Sequence, residues 1–223
     1  MQAMDLMKQA HEMENSGNYK DAIDIWKQAV ALHPKLYAHY PDDNVNLHAT
    51  TGLANAYYYS GNYKNALPSF ELAQQYVEEF DKSGESILPW YIAECRKKLA
   101  EEGEPATQPL VIIGNRLTKN ESISVKGTLL IPTSEAARLL HLKVTNDVTS
   151  KTIILSESGD MAKAISVTVM SKIAIVDSIQ LVLPVAPIRQ GSETLIPIRA
   201  IAEYFGYTVK WDPMPRVAWV SQM

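Results

Sequence analysis

A chain of 223 residues, 46% hydrophobic and 21% charged, has the composition of a folded globular protein and enough length for one large domain or two ordinary ones. Its net charge of −4 is uneven: residues 1–105 hold 9 Lys+Arg against 16 Asp+Glu, about −7, and residues 106–223 hold 12 against 9, about +3. That asymmetry argues for two units and against a basic nucleic-acid face in the front half. The single cysteine, Cys95, excludes an internal disulfide and any multi-cysteine zinc site, and no apolar run reaches the roughly 18 residues of a membrane span.

The opening Met1-Gln2-Ala3-Met4-Asp5-Leu6 lacks a basic segment followed by an apolar core, so no secretory signal is visible. The residues that follow repeat themselves. At an offset of 44, Ser16-Gly17-Asn18-Tyr19-Lys20 falls on Ser60-Gly61-Asn62-Tyr63-Lys64, with Ala22 on Ala66, Trp26 on Phe70 and Ala29 on Ala73. The block predicts helix, tight turn, helix, twice over. Glycine supplies the turn, alanine lets two helices approach, and the aromatic fills the space beside it. Leu6, Ala10 and Met13 mark the first opening helix, with Thr50, Ala54 and Tyr57 as their counterparts.

With Ala22/Trp26, Ala66/Phe70 and the closing Pro34, residues 3–80 resemble the tetratricopeptide repeat (TPR). Thr50 stands where that pattern has a large residue, and the longer period places an insert near residues 37–46. Its Tyr40-Pro41-Asp42-Asp43-Asn44 is a helix breaker and turn. Two repeats leave an apolar helix face open, and residues 86–102 supply a closing helix. Trp90, Ile92, Ala93 and Leu99 are expected inward, with Arg96, Lys97, Lys98, Glu101 and Glu102 in water. Cys95 is expected as a packed core residue. Gly103-Glu104-Pro105 then stops the helix, giving a helical domain at 1–104, a linker at 105–109 and a second domain at 110–223.

The second domain is also duplicated, at an offset of 65: Leu130-Ile131-Pro132 on Leu195-Ile196-Pro197, Ala137 on Ala202, Val144 on Val209, Asp147 on Asp212. Each copy, 110–158 and 162–223, reads as strand, short helix, strand, strand after leading strands. The expected fold class is therefore α+β multidomain: an all-α helical repeat followed by an α+β domain of two strand-helix-strand-strand units.

The stretch from Glu193 to Asp212, with Pro197-Ile198-Arg199, Ala200 to Glu203, Gly206 and Trp211-Asp212 in order, resembles the copper amine oxidase N-terminal domain, also called the stalk domain. In the first copy Ser134 replaces the Arg, Arg138 the Glu, His141 the Gly and Asn146 the Trp. The second lacks the family's usual glycine at Met170 and Ser178. The resemblance implies a non-catalytic appendage of surface or secreted proteins of Gram-positive bacteria, without copper ligands or a modified tyrosine cofactor. It also implies an extracellular or cell-envelope location, with the cytoplasm as the alternative set by the missing signal. Read by spacing alone, Arg199 and Glu203 can pair at i, i+4, and Trp211 and Trp219 are expected inward on neighbouring strands.

No catalytic motif emerges. The histidines form no His-Glu-x-x-His, and there is no nucleophile elbow, phosphate loop or Gly-x-Gly-x-x-Gly. His33, His39, Asp42 and Asp43 are the best local cluster for a metal, and solvated turn formation is the better reading of them. No cofactor is expected. The concave side of the repeat is the more productive place: Met7, His11, Asn15, Thr51, Asn55, Tyr58 and Tyr59 offer aromatic contact and hydrogen bonds to a protein or peptide partner. The expected function is non-catalytic binding or scaffolding. The alternatives are a cytosolic assembly factor, or a hydrolase or oxidase without a recognisable motif.

Overall fold

In the computed structural model, residues 2–32, 45–80, 86–118, 122–147, 149–159 and 163–223 are described. The insert's Tyr40–Asn44 and the cluster of His33, His39, Asp42 and Asp43 lie outside them. Helices α1 (Gln2–Asn15), α2 (Tyr19–Ala31), α3 (Val45–Tyr59), α4 (Tyr63–Phe80) and α5 (Leu88–Glu101) belong to one unit, Met1–Ala106, and thirteen strands with two short helices to another, Thr107–Met223. The expected α+β multidomain class is the class found.

The 44-residue repeat is reproduced in the main hydrogen bonds of its turns. Gly17 and Gly61 adopt φ of +77° and +79°, a left-handed geometry that costs glycine little. The next amide reaches back five residues in both, Asn18 N to Met13 O at 2.9 Å and Asn62 N to Tyr57 O at 2.8 Å. Asn18 and Asn62 then cap the following helix by accepting from the amides of Asp21 and Asn65. The end of α5 repeats the device, with Gly103 at φ +92° and Glu104 N bonded to Leu99 O at 2.8 Å. The closing helix is thus capped like the first helix of a third unit.

Ala22, Trp26 and Ala29, and their counterparts Ala66, Phe70 and Ala73, are fully buried. Trp26 lies flat on α3 at Gly52, where a methyl group would overlap the indole, and Phe70 stacks on Tyr91 of α5 at 4.9 Å. Consecutive pairs therefore close on each other through an aromatic ring from the second helix. Two expectations for α5 are corrected. Trp90 is 45% exposed, because one residue of helix rotation hands the inward position to Tyr91. Arg96 is half-buried with Glu71, whose carboxyl is pushed up by burial while Arg96 opposes that shift. Lys97 and Lys98 are also half-buried. Cys95 is buried, and desolvation pushes its thiol up to about 12, so it stays protonated and packs as a small hydrophobe.

The second unit is organised about a local two-fold axis. Strand β4 (Thr128–Pro132) pairs antiparallel with β11 (Glu193–Pro197) in the register Leu130–Pro197, Ile131–Ile196 and Pro132–Leu195, so Ile131 faces its own counterpart at the offset of 65. Flanking strands β3 (Ile123–Val125) and β10 (Ile188–Gln190) pair outward with equivalent registers. Helices α6 (Thr133–Leu140) and α7 (Ile198–Tyr204) follow, and then hairpins β5–β6 (Lys143–Asp147, Thr152–Ser156) and β12–β13 (Tyr207–Asp212, Val217–Gln222). The hairpin registers match as well, Lys143–Ser156 against Thr208–Ser221.

The halves differ at one strand. β13 pairs directly and in parallel with β1 (Leu110–Ile113), which turns back into β2 (Arg116–Leu117). In the other half β7 (Ala164–Thr168) is interposed between β6 and the hairpin β8–β9 (Ile173–Val176, Ile179–Val182), antiparallel to both neighbours. Alternation along β4 and β11 sends Ile131 and Ile196 into the main core with Leu155, Ile165, Ile201 and Phe205, and Leu130 and Leu195 into a second cluster with Val185.

Trp211 and Trp219 are not a common inward pair. Trp211 pairs with Ala218 on the core side but is 40% exposed at the margin, and Trp219 pairs with Lys210 on the opposite side of the sheet. Arg199 and Glu203 do pair, at 3.2 Å and half exposed, a contact of small value to stability. Met170 and Ser178 adopt φ of +66° and +67°, the left-handed conformation that explains glycine at such places. His141 likewise sits at φ +56° as the cap of α6, where its counterpart Gly206 has φ +86°. His141 is exposed, so relieving its backbone forfeits no packing. His141→Gly is expected to raise stability by about 1 kcal/mol in a denaturant titration, the cost of a left-handed side-chain-bearing residue less glycine's entropy.

Candidate functional site

The first helices α1, α3 and α5 carry the face at which sequence places a partner. On α1, Met7 packs against the first repeat's core. His11 meets the Trp26 ring edge-on at 4.9 Å and bonds through Nδ1 to Glu14 Oε2 at 3.0 Å, while the Trp26 indole donates to Glu14 Oε1 at 2.9 Å. Glu14 therefore ties the core tryptophan to the surface histidine. Asn15 is exposed at the end of α1.

On α3, Thr51, Asn55, Tyr58 and Tyr59 recur at helical spacing. Tyr58 is the hub of an aromatic cluster, edge-on to Tyr59, Tyr63, Phe70 and Tyr91 at 5.2 to 6.2 Å. Tyr59 is 53% exposed, stacks on Tyr19 at 5.4 Å and shares a 3.1 Å hydrogen bond with the Tyr91 hydroxyl. Trp90 meets Tyr91 edge-on at 5.0 Å. Asn55 Oδ1, a turn before Tyr58 and Tyr59, is buried and accepts no hydrogen bond among the described residues.

Tyr58 and Tyr91 are neutral members of this surface. The hydrogen bond shared with Tyr59, then burial, push Tyr91 up to about 12, and burial raises Tyr58. At neutral pH the phenols remain protonated and act as donors and acceptors, not charges. The structure thus brings Tyr58 and Tyr59 together with four rings that the sequence reading did not place on this face: Tyr19, Tyr63, Trp90 and Tyr91. Tyr19 and Tyr63 carried a usable signal, since they are repeat mates beside the turn glycines. Met7 is a packing residue in place, and much of Tyr58 is spent on holding α5.

Among the described residues no three of His, Cys, Asp and Glu gather where a metal ion could be held, and no helix is long and apolar enough to cross a membrane.

Residues 111–218 match the family model of the copper amine oxidase N-terminal domain, a non-catalytic, stalk-like module. The match covers just under half of the chain, takes in most of both duplicated halves, and leaves the helical unit outside it. No curated protein and no solved structure matches the chain.

Proposed function

We propose that this protein is a non-catalytic binding or scaffolding protein in which a TPR-like helical unit engages a protein or peptide partner through the α1–α3–α5 face. The stalk-like unit serves as spacer or second contact. The observation that carries the reading is Tyr59, more than half exposed yet held by the Tyr19 ring and the Tyr91 hydroxyl. A large amphipathic side chain already fixed in place loses little entropy on binding, which is what an interface anchor requires. Asn55, half-buried beside it, supplies an amide. By its resemblance to the stalk module the protein belongs at the bacterial cell envelope.

Affinity purification on the full chain, followed by calorimetry with the captured partner, tests this reading. The double variant Asn55→Ala with Tyr59→Ala is expected to weaken binding by on the order of 1–3 kcal/mol with little change in melting temperature. Arg199→Ala should leave affinity intact, since its guanidinium is engaged by Glu203. If Arg199→Ala abolished binding in a folded protein, the stalk-like unit would be the recognition element and the proposal would fall.

A further inference from the structure

The two halves of the second unit differ at one place in a way that leaves a space. In the half that keeps the Trp-Asp pair, Trp211 occupies the core-side position of β12; at the equivalent position of β5 stands Asn146. A cleft of about 550 Å³ opens there, lined by Asn146, Lys151, Ile153, Met170, Arg189 and Thr194 among others. It runs into a recess of about 220 Å³ that shares Asn146, Ile153, Arg189 and Thr194 and reaches Glu193. The larger volume suits a ligand the size of a short peptide end.

Its rim is fixed by hydrogen bonds between separate elements. Val169 N donates to Lys151 O at 3.1 Å, Met170 N to Pro187 O at 2.8 Å, and Thr133 Oγ1 to Thr194 O at 2.7 Å. Met170 is held at φ +66° with its side chain 85% exposed, so a large apolar group stands at the mouth at some conformational cost. The wall that Met170 belongs to follows β7, a strand with no counterpart among the described residues of the other half.

The larger cleft is lined by two cations, Lys151 and Arg189, against one carboxylate, Asp147, and a second carboxylate, Glu193, lies in the adjoining recess. The Asp147 carboxylate is taken up by its own turn, accepting from Thr149 N at 2.9 Å, Ser150 N at 3.3 Å and Ser150 Oγ at 2.7 Å. Arg189 donates to Gly191 O and Thr194 Oγ1, both uncharged, and neither it nor Lys151 has an ion pair among the described residues. Two cations over a wall of Ile153, Val169 and Met170 suit a carboxylate carried beside a small apolar group.

We propose that this cleft binds a carboxylate-bearing ligand with an apolar substituent: the C-terminal residue of a peptide or a free amino acid. The carboxylate lies against Arg189 and Lys151, and the apolar group takes the space left by the replaced tryptophan.

The test is an NMR titration of the full-length protein with N-acetyl-glycyl-valine, its C-terminal amide, and free valine. The acid is expected to shift the amides of Asn146, Lys151, Met170 and Thr194, and the amide to bind about tenfold or more weakly, as loss of a charge-assisted contact requires. Tighter binding of the acetylated dipeptide than of valine supports a peptide terminus; equal or tighter binding of valine supports a free amino acid. Asn146→Trp should fill the cleft and remove binding. Arg189→Gln, at an exposed position, should weaken it about tenfold in a protein that still melts normally. Equal binding of acid and amide, unchanged binding in folded Arg189→Gln, or no shift from either acid at millimolar concentration would overturn the proposal.

Discussion

Trp26→Ala is expected to lower the stability of the helical unit by about 3–5 kcal/mol, the usual cost of emptying a large buried aromatic site. The indole is fully buried, donates to Glu14, and presents its face to α3 at Gly52. Substitution therefore removes apolar contact, leaves the part-buried Glu14 short of a donor, and opens a void between α2 and α3. Gly52 tests the same contact from the other side. A methyl group there would overlap a ring that cannot give way, so Gly52→Ala is expected to cost about 1–3 kcal/mol despite alanine's better helix propensity.

The double variant decides between packing and propensity. If the ring is what forbids the methyl, Trp26→Ala with Gly52→Ala should cost less than the sum of the two, because the methyl then enters the void. Denaturant titration of the four proteins, with peptide-level hydrogen exchange to localise the loss to residues 2–106, gives the coupling. Additive costs would mean that Gly52 is needed for some reason other than Trp26.

How much of this was legible in the sequence depends on distance along the chain. The turns at Gly17 and Gly61 were readable because glycine and the capping asparagines act within a few residues. The third turn, at Gly103, shares only its glycine with them, so the sequence marked where α5 stops but not that it is capped as the two repeats are. Trp90 and Tyr91 are adjacent, and helical periodicity does not separate neighbours at the edge of an apolar face. Only the position of Phe70 on α4 selects Tyr91.

The same limit applies to the binding surfaces. Tyr58 and Tyr59 were visible on one helix face, but Tyr91, 32 residues beyond Tyr59, was not. The cleft in the stalk-like unit is assembled from β5–β6, the turn after β7, and β10–β11. Sequence marked Asn146 and Met170 as departures from a motif; it had no means of placing them around one space. The offset of 65, by contrast, carries its own geometry, since two equivalent strands that pair antiparallel in register generate a two-fold axis.

That axis gives the second large effect. Ile131 and Ile196 are fully buried in the main core and paired with each other across β4 and β11. Ile131→Ala and Ile196→Ala are each expected to cost about 2–5 kcal/mol. Their surroundings are equivalent in kind, a central strand entering a short helix, so the two costs should be similar. The difference that remains should follow β7, whose Ile165 and Val167 add to the core on one side only. Because the two side chains border one volume, the double variant should depart from additivity by about 0.5–3 kcal/mol, with hydrogen-exchange protection lost along both β4 and β11. Additive costs, with protection lost on the mutated strand alone, would mean that the two halves are joined at the axis by backbone pairing and not by a shared core.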